Sequence, residues 1–238
     1  MKDQQGRIIA ITGIDTDIGK TIAAGLIAKG LMEAGRTVIT HKAVQTGCER
    51  ESEDIAVHRN LMGIPPQQVD REGLTCSYLF PVPSSPHLAA RLAGAEIDPR
   101  KITDDAQRLA HDYQFVLLEG AGGLFVPLTE EVTLIDHFAA ENWPVILVSS
   151  SRLGSLNHTL ASLEALKSRR MALAGVVYNR HQDGDLRIAE DSLTIISMSL
   201  KKHGFICPII EMYGAEKYQR QGACLPFSAL CLGRTSTI

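Results

Sequence analysis

The sequence predicts an α/β fold, a mostly parallel β-sheet with helices on both faces. Three observations carry that expectation. Short apolar runs alternate with longer amphipathic ones along the chain. The short runs are almost continuously apolar, as strands covered on both faces require. A Gly-Lys-Thr tripeptide, residues 19–21, opens the first helical pattern directly after the first apolar run.

The elements follow in order. Residues 8–12 read as a strand. Over 19–34, Ile22, Leu26, Ile27 and Leu31 mark one helix face, and Gly35 stops it. TVITHKAV, 37–44, is the second strand. Ser52 can cap a helix reaching Leu61, with Gly63 and Pro65-Pro66 beyond its end. SSPHLAARLAG suggests a short helix after Pro86. Asp98-Pro99 joins a capping residue to the proline favoured in a first turn, so a helix should run to about Asp112. FVLLEG (115–120) and PVILVSS (144–150) are strands. A helix over 155–169 carries Leu156, Leu160, Leu163 and Leu166 on one stripe. Residues 173–179 form a strand, 184–202 are mostly helical, and 206–212 form the last strand. The stretch 203–238 is weakly patterned. With no repeat or linker, 1–238 is expected to be a single domain.

Composition narrows the function. The 45% apolar share supplies a core, and a net charge of -3 without a basic run argues against nucleic acid. KSRR (167–170) and KK (201–202) read as solvated helix ends. Cys48, Cys76, Cys207, Cys224 and Cys231 are odd in number and form no C-x-x-C pair. That points away from structural zinc and from a disulfide framework, toward a reducing, cytoplasmic setting. No stretch suits a signal peptide or a membrane span.

In such sheets ligands bind beyond the carboxyl ends of the strands, which selects residues 13–21, 42–47, 119–123, 149–154 and Asn179. The first of these is a phosphate-binding loop, Gly13-x5-Gly19-Lys20-Thr21, and marks the fold as P-loop NTPase-like. A helix N-terminus offers unpaired N–H groups and partial positive charge to an anion. Lys20 suits the outer phosphates and the Thr21 hydroxyl suits Mg²⁺. The spacing exceeds G-x4-GKT by one residue. Asp15 stands where the partition and septum-placing ATPases carry a second, signature lysine. Asp15 and Asp17 would repel a triphosphate unless a cation lies nearby, and a cationic amine substrate is one solution.

Lys42 and Thr46 end the second strand and could cradle an oxyanion beside the γ-phosphate. Glu119 ends a hydrophobic strand, where P-loop enzymes keep a metal-linked carboxylate. The Gly-Ala-Gly-Gly after it permits close approach to the backbone. Asp54 opens a helix and is the second candidate carboxylate. His87 and His158 are expected to pack or cap rather than catalyse.

TGIDTDIGKT, KAVQTG, the acid of SEDIA, SSPH, LEGAGGLFVPL, PVILV with RLGSLNHTL, and AGVVYNR occur in the order and spacing of dethiobiotin synthetases. The resemblance spans roughly residues 8–180. It implies a homodimeric ligase using ATP and Mg²⁺. Such an enzyme closes a cyclic urea on 7,8-diaminononanoate with CO₂, through a carbamate and its mixed anhydride with phosphate. By resemblance, Lys42 and Lys20 are catalytic. Asp17, Ile18, Gly19, Lys20, Thr21 and Ile22 wrap the phosphates. Thr21, Asp54 and Glu119 hold Mg²⁺. Glu119, Gly120, Ala121 and Gly122 line the nucleotide, and Asn179 reads adenine. Thr46 contacts the substrate, and Gly154, Ser155, Leu156 and Asn157 receive its tail carboxylate across the dimer. No nucleic-acid or membrane partner is implied.

The chain departs from the family pattern at Lys42-Ala43, where Lys-Pro is usual, and at Arg180, where an acid usually follows the asparagine. FICPIIEMYG stands where Gly-x-Ile-Pro is typical. The rival classes are a partition-type ATPase switch, lacking here its signature lysine and basic tail helix, and the amidating corrin-ring synthetases, which append a glutaminase domain.

Overall fold

The computed structural model describes residues 5–181, 185–221 and 224–225. Cys231 and the end of the weakly patterned stretch lie outside them.

Among the described residues seven strands form one sheet: β1 (Arg7–Gly13), β2 (Val38–Thr46), β3 (Cys76–Phe80), β4 (Phe115–Gly123), β5 (Val145–Ser150), β6 (Leu173–Asn179) and β7 (Ile209–Met212). Their order is β3-β2-β4-β1-β5-β6-β7, and every pairing is parallel. Between them run α1 (Lys20–Glu33), α2 (Glu53–Met62), α3 (Gln68–Arg71), α4 (Pro86–Leu92), α5 (Pro99–Asp112), α6 (Leu134–Ala140), α7 (Ser155–Ser168), α8 (Leu186–His203) and α9 (Ala215–Gln221).

Both sheet faces are covered. Val38 and Leu117 belong to the main core, while their chain neighbours Ile39 and Val116 pack with Leu109 and Ala110 of α5 in a smaller cluster. Adjacent strand residues point to opposite faces, so two clusters on consecutive residues mean two apolar layers.

The expected caps form. Ser52 Oγ accepts from Ile55 N at 3.2 Å and the Asp98 carboxylate accepts from Arg100 N at 3.0 Å. Gly63 and Gly204 close α2 and α8 in the left-handed conformation that glycine adopts most readily.

Four elements went unread in the sequence: α3, β3, α6 and α9. The strand β3 is five residues long, partly buried, and among the described residues pairs only with β2. The last strand is shorter than expected. Pro208 has no N–H for a ladder and Ile206 is largely exposed, so regular pairing begins at Ile209.

The register aligns the site. Lys42 pairs with Glu119 across β2 and β4, and Gly13 pairs with Gly123 across β1 and β4. The chain crosses from β4 past β1 to β5, so the sheet order reverses at β1. Ligand crevices form at such a reversal.

Candidate active site

A cleft of about 540 Å³ opens where β1, β2, β4, β6 and β7 end. Asp17, Gly19, Lys20, Thr21 and Ile22 line it from the loop and α1, Lys42 and Thr46 from β2, and Asp54 from α2. Glu119, Ala121 and Gly122 face it from β4 and Asn179 from β6. Two candidates stand behind the lining. Ile18 is buried against Gly13, and Gly120 presents its carbonyl 3.5 Å from Lys42 Nζ.

The loop reverses sharply. Asp17 and Gly19 both have positive φ, 54° and 95°. Asp tolerates that region better than most residues, and Gly without cost. At Gly19 a Cβ would fall 2.6 Å from Asn179 Nδ2, so the position is closed to side chains twice over. Asn179 clasps the loop: its Nδ2 donates to Ile18 O at 2.8 Å, and its Oδ1 accepts from His181 N at 2.9 Å.

Lys20 Nζ donates to Asp15 O at 2.7 Å. Burial pushes its pKa down to about 8, helped by the Lys42 charge and opposed by Glu119, Asp54 and Asp17. A buried ammonium of this kind is stabilised by an arriving anion.

Asp15 resolves differently from the sequence expectation. Its carboxylate pairs with Arg152 Nη2 at 2.8 Å, and the cleft lining omits it. The Thr16 N–H and then Arg152 hold its pKa low. For Asp15 the neutralising cation is therefore Arg152 of the chain itself, while Asp17 lines the cleft.

At the centre lies a carboxylate pair. Thr21 Oγ1 is 3.1 Å from Asp54 Oδ1 and 3.0 Å from Glu119 Oε1, and its single proton serves one of them at a time. Lys42 Nζ donates to Glu119 Oε1 at 2.8 Å and also pairs with Asp54. Burial alone would raise the Glu119 pKa, but the Lys42 ammonium and His58 hold it well below the carboxylate range. Burial likewise opposes the charge on Lys42, and Glu119 and Asp54 overcome it, so its pKa rises.

This donor set fits a hard divalent cation. Mg²⁺ is held by one or two carboxylates and completes its shell with waters and phosphate oxygens. Two carboxylates and a hydroxyl converge here, all oxygen. Among the described residues no three of His, Cys, Asp and Glu gather into an all-protein cage.

Sequence reasoning missed several residues. Gln45 lines the cleft, and its Oε1 accepts from Ser52 Oγ at 2.8 Å and from Asp54 N at 3.3 Å. His58 bonds Glu119; the available signal was its position one helical turn after Asp54. The segment after β7 also reaches the site. Met212, Tyr213, Gly214 and Glu216 line the cleft with His181, although FICPIIEMYG lacks the usual pattern. Arg180, where the family carries an acid, pairs with Glu211 at 2.6 Å.

The tail-site residues lie elsewhere. Gly154 and Leu156 line a second cleft of about 560 Å³ with Arg152, Leu153 and Ile188. Ser155 is buried, Asn157 is exposed, and neither faces that cleft. His87 and His158 lie outside both linings.

A protein-family profile described as an AAA domain matches residues 7–210. The ATP-dependent dethiobiotin synthetase BioD of Chlorobaculum tepidum is 50% identical over 212 residues, covering 89% of each chain. BioD 2 of Haemophilus influenzae is 49% identical over 185 residues, covering 78% of this chain and 97% of its own. The chain belongs to the dethiobiotin synthetase family. Distant solved structures share the fold alone. A ParA family ATPase from Chlorobium tepidum gives a TM-score of 0.52 at 15% identity, covering 95% of this chain and 91% of its own. The Aquifex aeolicus MinC:MinD complex gives 0.53 at 16% identity, covering 92% and 87%. The profile match runs to residue 210, inside β7, whereas the sequence motifs end at about residue 180.

Proposed function

We infer that this ATP-dependent ligase closes a cyclic urea on 7,8-diaminononanoate with CO₂, giving dethiobiotin in biotin synthesis. One observation carries the reading: Lys20 and Lys42 face a single cleft with Thr21, Asp54 and Glu119.

Each residue then has a task. The loop from Asp17 to Ile22 receives the phosphates on the N-terminus of α1, with Lys20 beside the terminal one. Thr21, Asp54 and Glu119 would hold Mg²⁺, which neutralises charge on the transferring phosphoryl group. Lys42 stabilises the carbamate oxygens and the mixed anhydride with its ammonium. A carbamate oxygen bonds the γ-phosphorus as the bond to ADP breaks. The second amine then attacks the carbamoyl carbon, expels phosphate and loses its proton. Little covalent work falls to the protein, so positioning and charge neutralisation dominate. Thr46 supplies a hydroxyl to the substrate, and Ala121, Gly122 and Asn179 flank the nucleotide.

The tail carboxylate is assigned to Gly154–Asn157 of a second copy, which makes the working unit a homodimer. Cys48, Cys76 and Cys224 are free thiols, which suits the cytoplasm. Among the described residues no helix is long and apolar enough to cross a membrane.

The test is ATP hydrolysis with bicarbonate, with and without 7,8-diaminononanoate, followed by mass analysis for the cyclic urea. Diamine-dependent turnover with one urea formed per ATP is expected. Turnover stimulated by DNA or lipid, but indifferent to the diamine, would replace this reading with a partition-type switch.

A further inference from the structure

We propose that His58 is a positioning residue that fixes the rotation of Glu119, so that one carboxylate oxygen is held for the metal; this rests on the metal reading above. His58 lies on α2, one turn beyond Asp54, and is 0% exposed. Its Nε2 stands 2.9 Å from Glu119 Oε2. Its Nδ1 is buried without a hydrogen-bond partner.

Geometry gives the direction of that contact. Glu119 is paired with the Lys42 ammonium at 2.8 Å, and a carboxylate oxygen accepts, so the role requires His58 to donate from Nε2.

The two oxygens of Glu119 have separate assignments. Oε2 faces inward to His58, while Oε1 meets Lys42 at 2.8 Å and Thr21 at 3.0 Å. Without a donor at Oε2, a charged oxygen is left buried and unpaired, and the carboxylate rotates to recover a partner. That rotation withdraws Oε1 from its place beside Asp54. Metal ligands are commonly oriented by such a partner behind them.

Packing brings the ring there. The helix α2 lies against α1 at Gly25, where a Cβ would fall 2.7 Å from Leu61 Cδ1 and 3.4 Å from His58 Cα. One helix therefore delivers Asp54 directly and, through His58, orients Glu119.

The test measures Mn²⁺ binding by electron paramagnetic resonance with a non-hydrolysable ATP analogue, for wild type, His58→Leu, His58→Gln and Asp54→Asn. Leucine removes the donor, and glutamine keeps an N–H at the reach of Nε2. The expected result is Mn²⁺ affinity about tenfold or more weaker in His58→Leu, and close to wild type in His58→Gln. Unchanged affinity in His58→Leu, with weakened binding in Asp54→Asn, overturns the role of His58 and leaves the metal reading standing. Equal losses in Leu and Gln variants overturn it too, since packing would then be the cause. Unchanged binding in Asp54→Asn overturns the metal reading and this inference with it. Should His58→Leu not fold, ¹⁵N imidazole spectra of the wild type decide. An Nε2–H tautomer whose Nε2 signal moves on adding Mg²⁺ with the analogue supports the role, and an Nδ1–H tautomer or a static Nε2 signal overturns it.

Discussion

Lys42 and Lys20 carry like charges into one cleft, yet their surroundings separate them. Glu119 and Asp54 hold Lys42 charged, whereas burial and the Lys42 charge depress Lys20. Different substitution effects follow. Lys20→Ala should abolish turnover and weaken ATP-analogue binding while circular dichroism stays native. Full activity in that variant would remove the phosphate-loop assignment. Lys42→Ala should lower kcat by about a hundredfold or more, the usual cost of an oxyanion donor, with nucleotide affinity little changed. A normal kcat would take Lys42 out of the mechanism. A third residue governs acid stability. His41 is buried, its Nε2 lies 2.8 Å from Ser77 Oγ, and Ser77 donates to Asp105, which also pairs with Lys101. Burial pushes the His41 pKa down to about 4, with Asp105 opposing and Lys101 assisting. The unfolded chain therefore binds a proton that the folded chain refuses between pH 6.5 and about 4, so stability falls as pH drops through that window. The loss approaches about 3 kcal/mol near pH 4. Urea midpoints from pH 7 to 4 should show this slope in wild type and a shallower one in His41→Gln. Lys20, Thr21, Lys42 and Glu119 were legible in the sequence because each sits in a local motif, Gly-Lys-Thr opening a helix or a charged residue in the carboxyl-terminal half of an apolar strand. His58 and Gln45 were not, because their importance depends on which neighbour the fold sets against them.

Among the elements, α2 has the most demanding placement, since it brings Asp54 and His58 to one carboxylate. Its start is fixed twice. Ser52 caps it through Ile55 N at 3.2 Å, and Gln45 at the end of β2 accepts from both Ser52 Oγ and Asp54 N. Ser52→Ala should cost about 1 kcal/mol through the lost cap. For a chain of this size that lowers Tm by about 2–4 °C, which calorimetry would read. An unchanged Tm would mean that Gln45 alone sets the start of α2. The sequence showed this helix because its signals are local: a capping serine, apolar spacing and Gly63. It did not show β3, which pairs with β2 across a stretch holding α2 and α3. The conformation of CSYLF is set by that distant pairing more than by its own pattern.

At the scale of the whole molecule, alternation of strands and helices announced a parallel sheet, but strand order came only from packing. That order puts Gly13, Thr46, Gly123 and Asn179, the ends of four strands, on one edge, so a cleft forms there without further design. The second cleft has a different character. It is lined by Arg152 and Leu153, and Leu153 is 82% exposed. Ile188 lines it as well, and Leu186, just before it on α8, is also exposed. Arg152 ties this region to the phosphate loop through Asp15 at 2.8 Å. A homodimer that covers Leu153 would bring the start of α7 to a partner's substrate, as the proposed tail site demands. Sedimentation velocity should then give a dimer at assay concentrations. Leu153→Asp, outside the lining of the phosphate cleft, should shift it toward monomer and raise the diamine KM more than the ATP KM. A wild-type monomer with full diamine-dependent activity would separate the tail site from any second copy, and would place the carboxylate's partner within one chain.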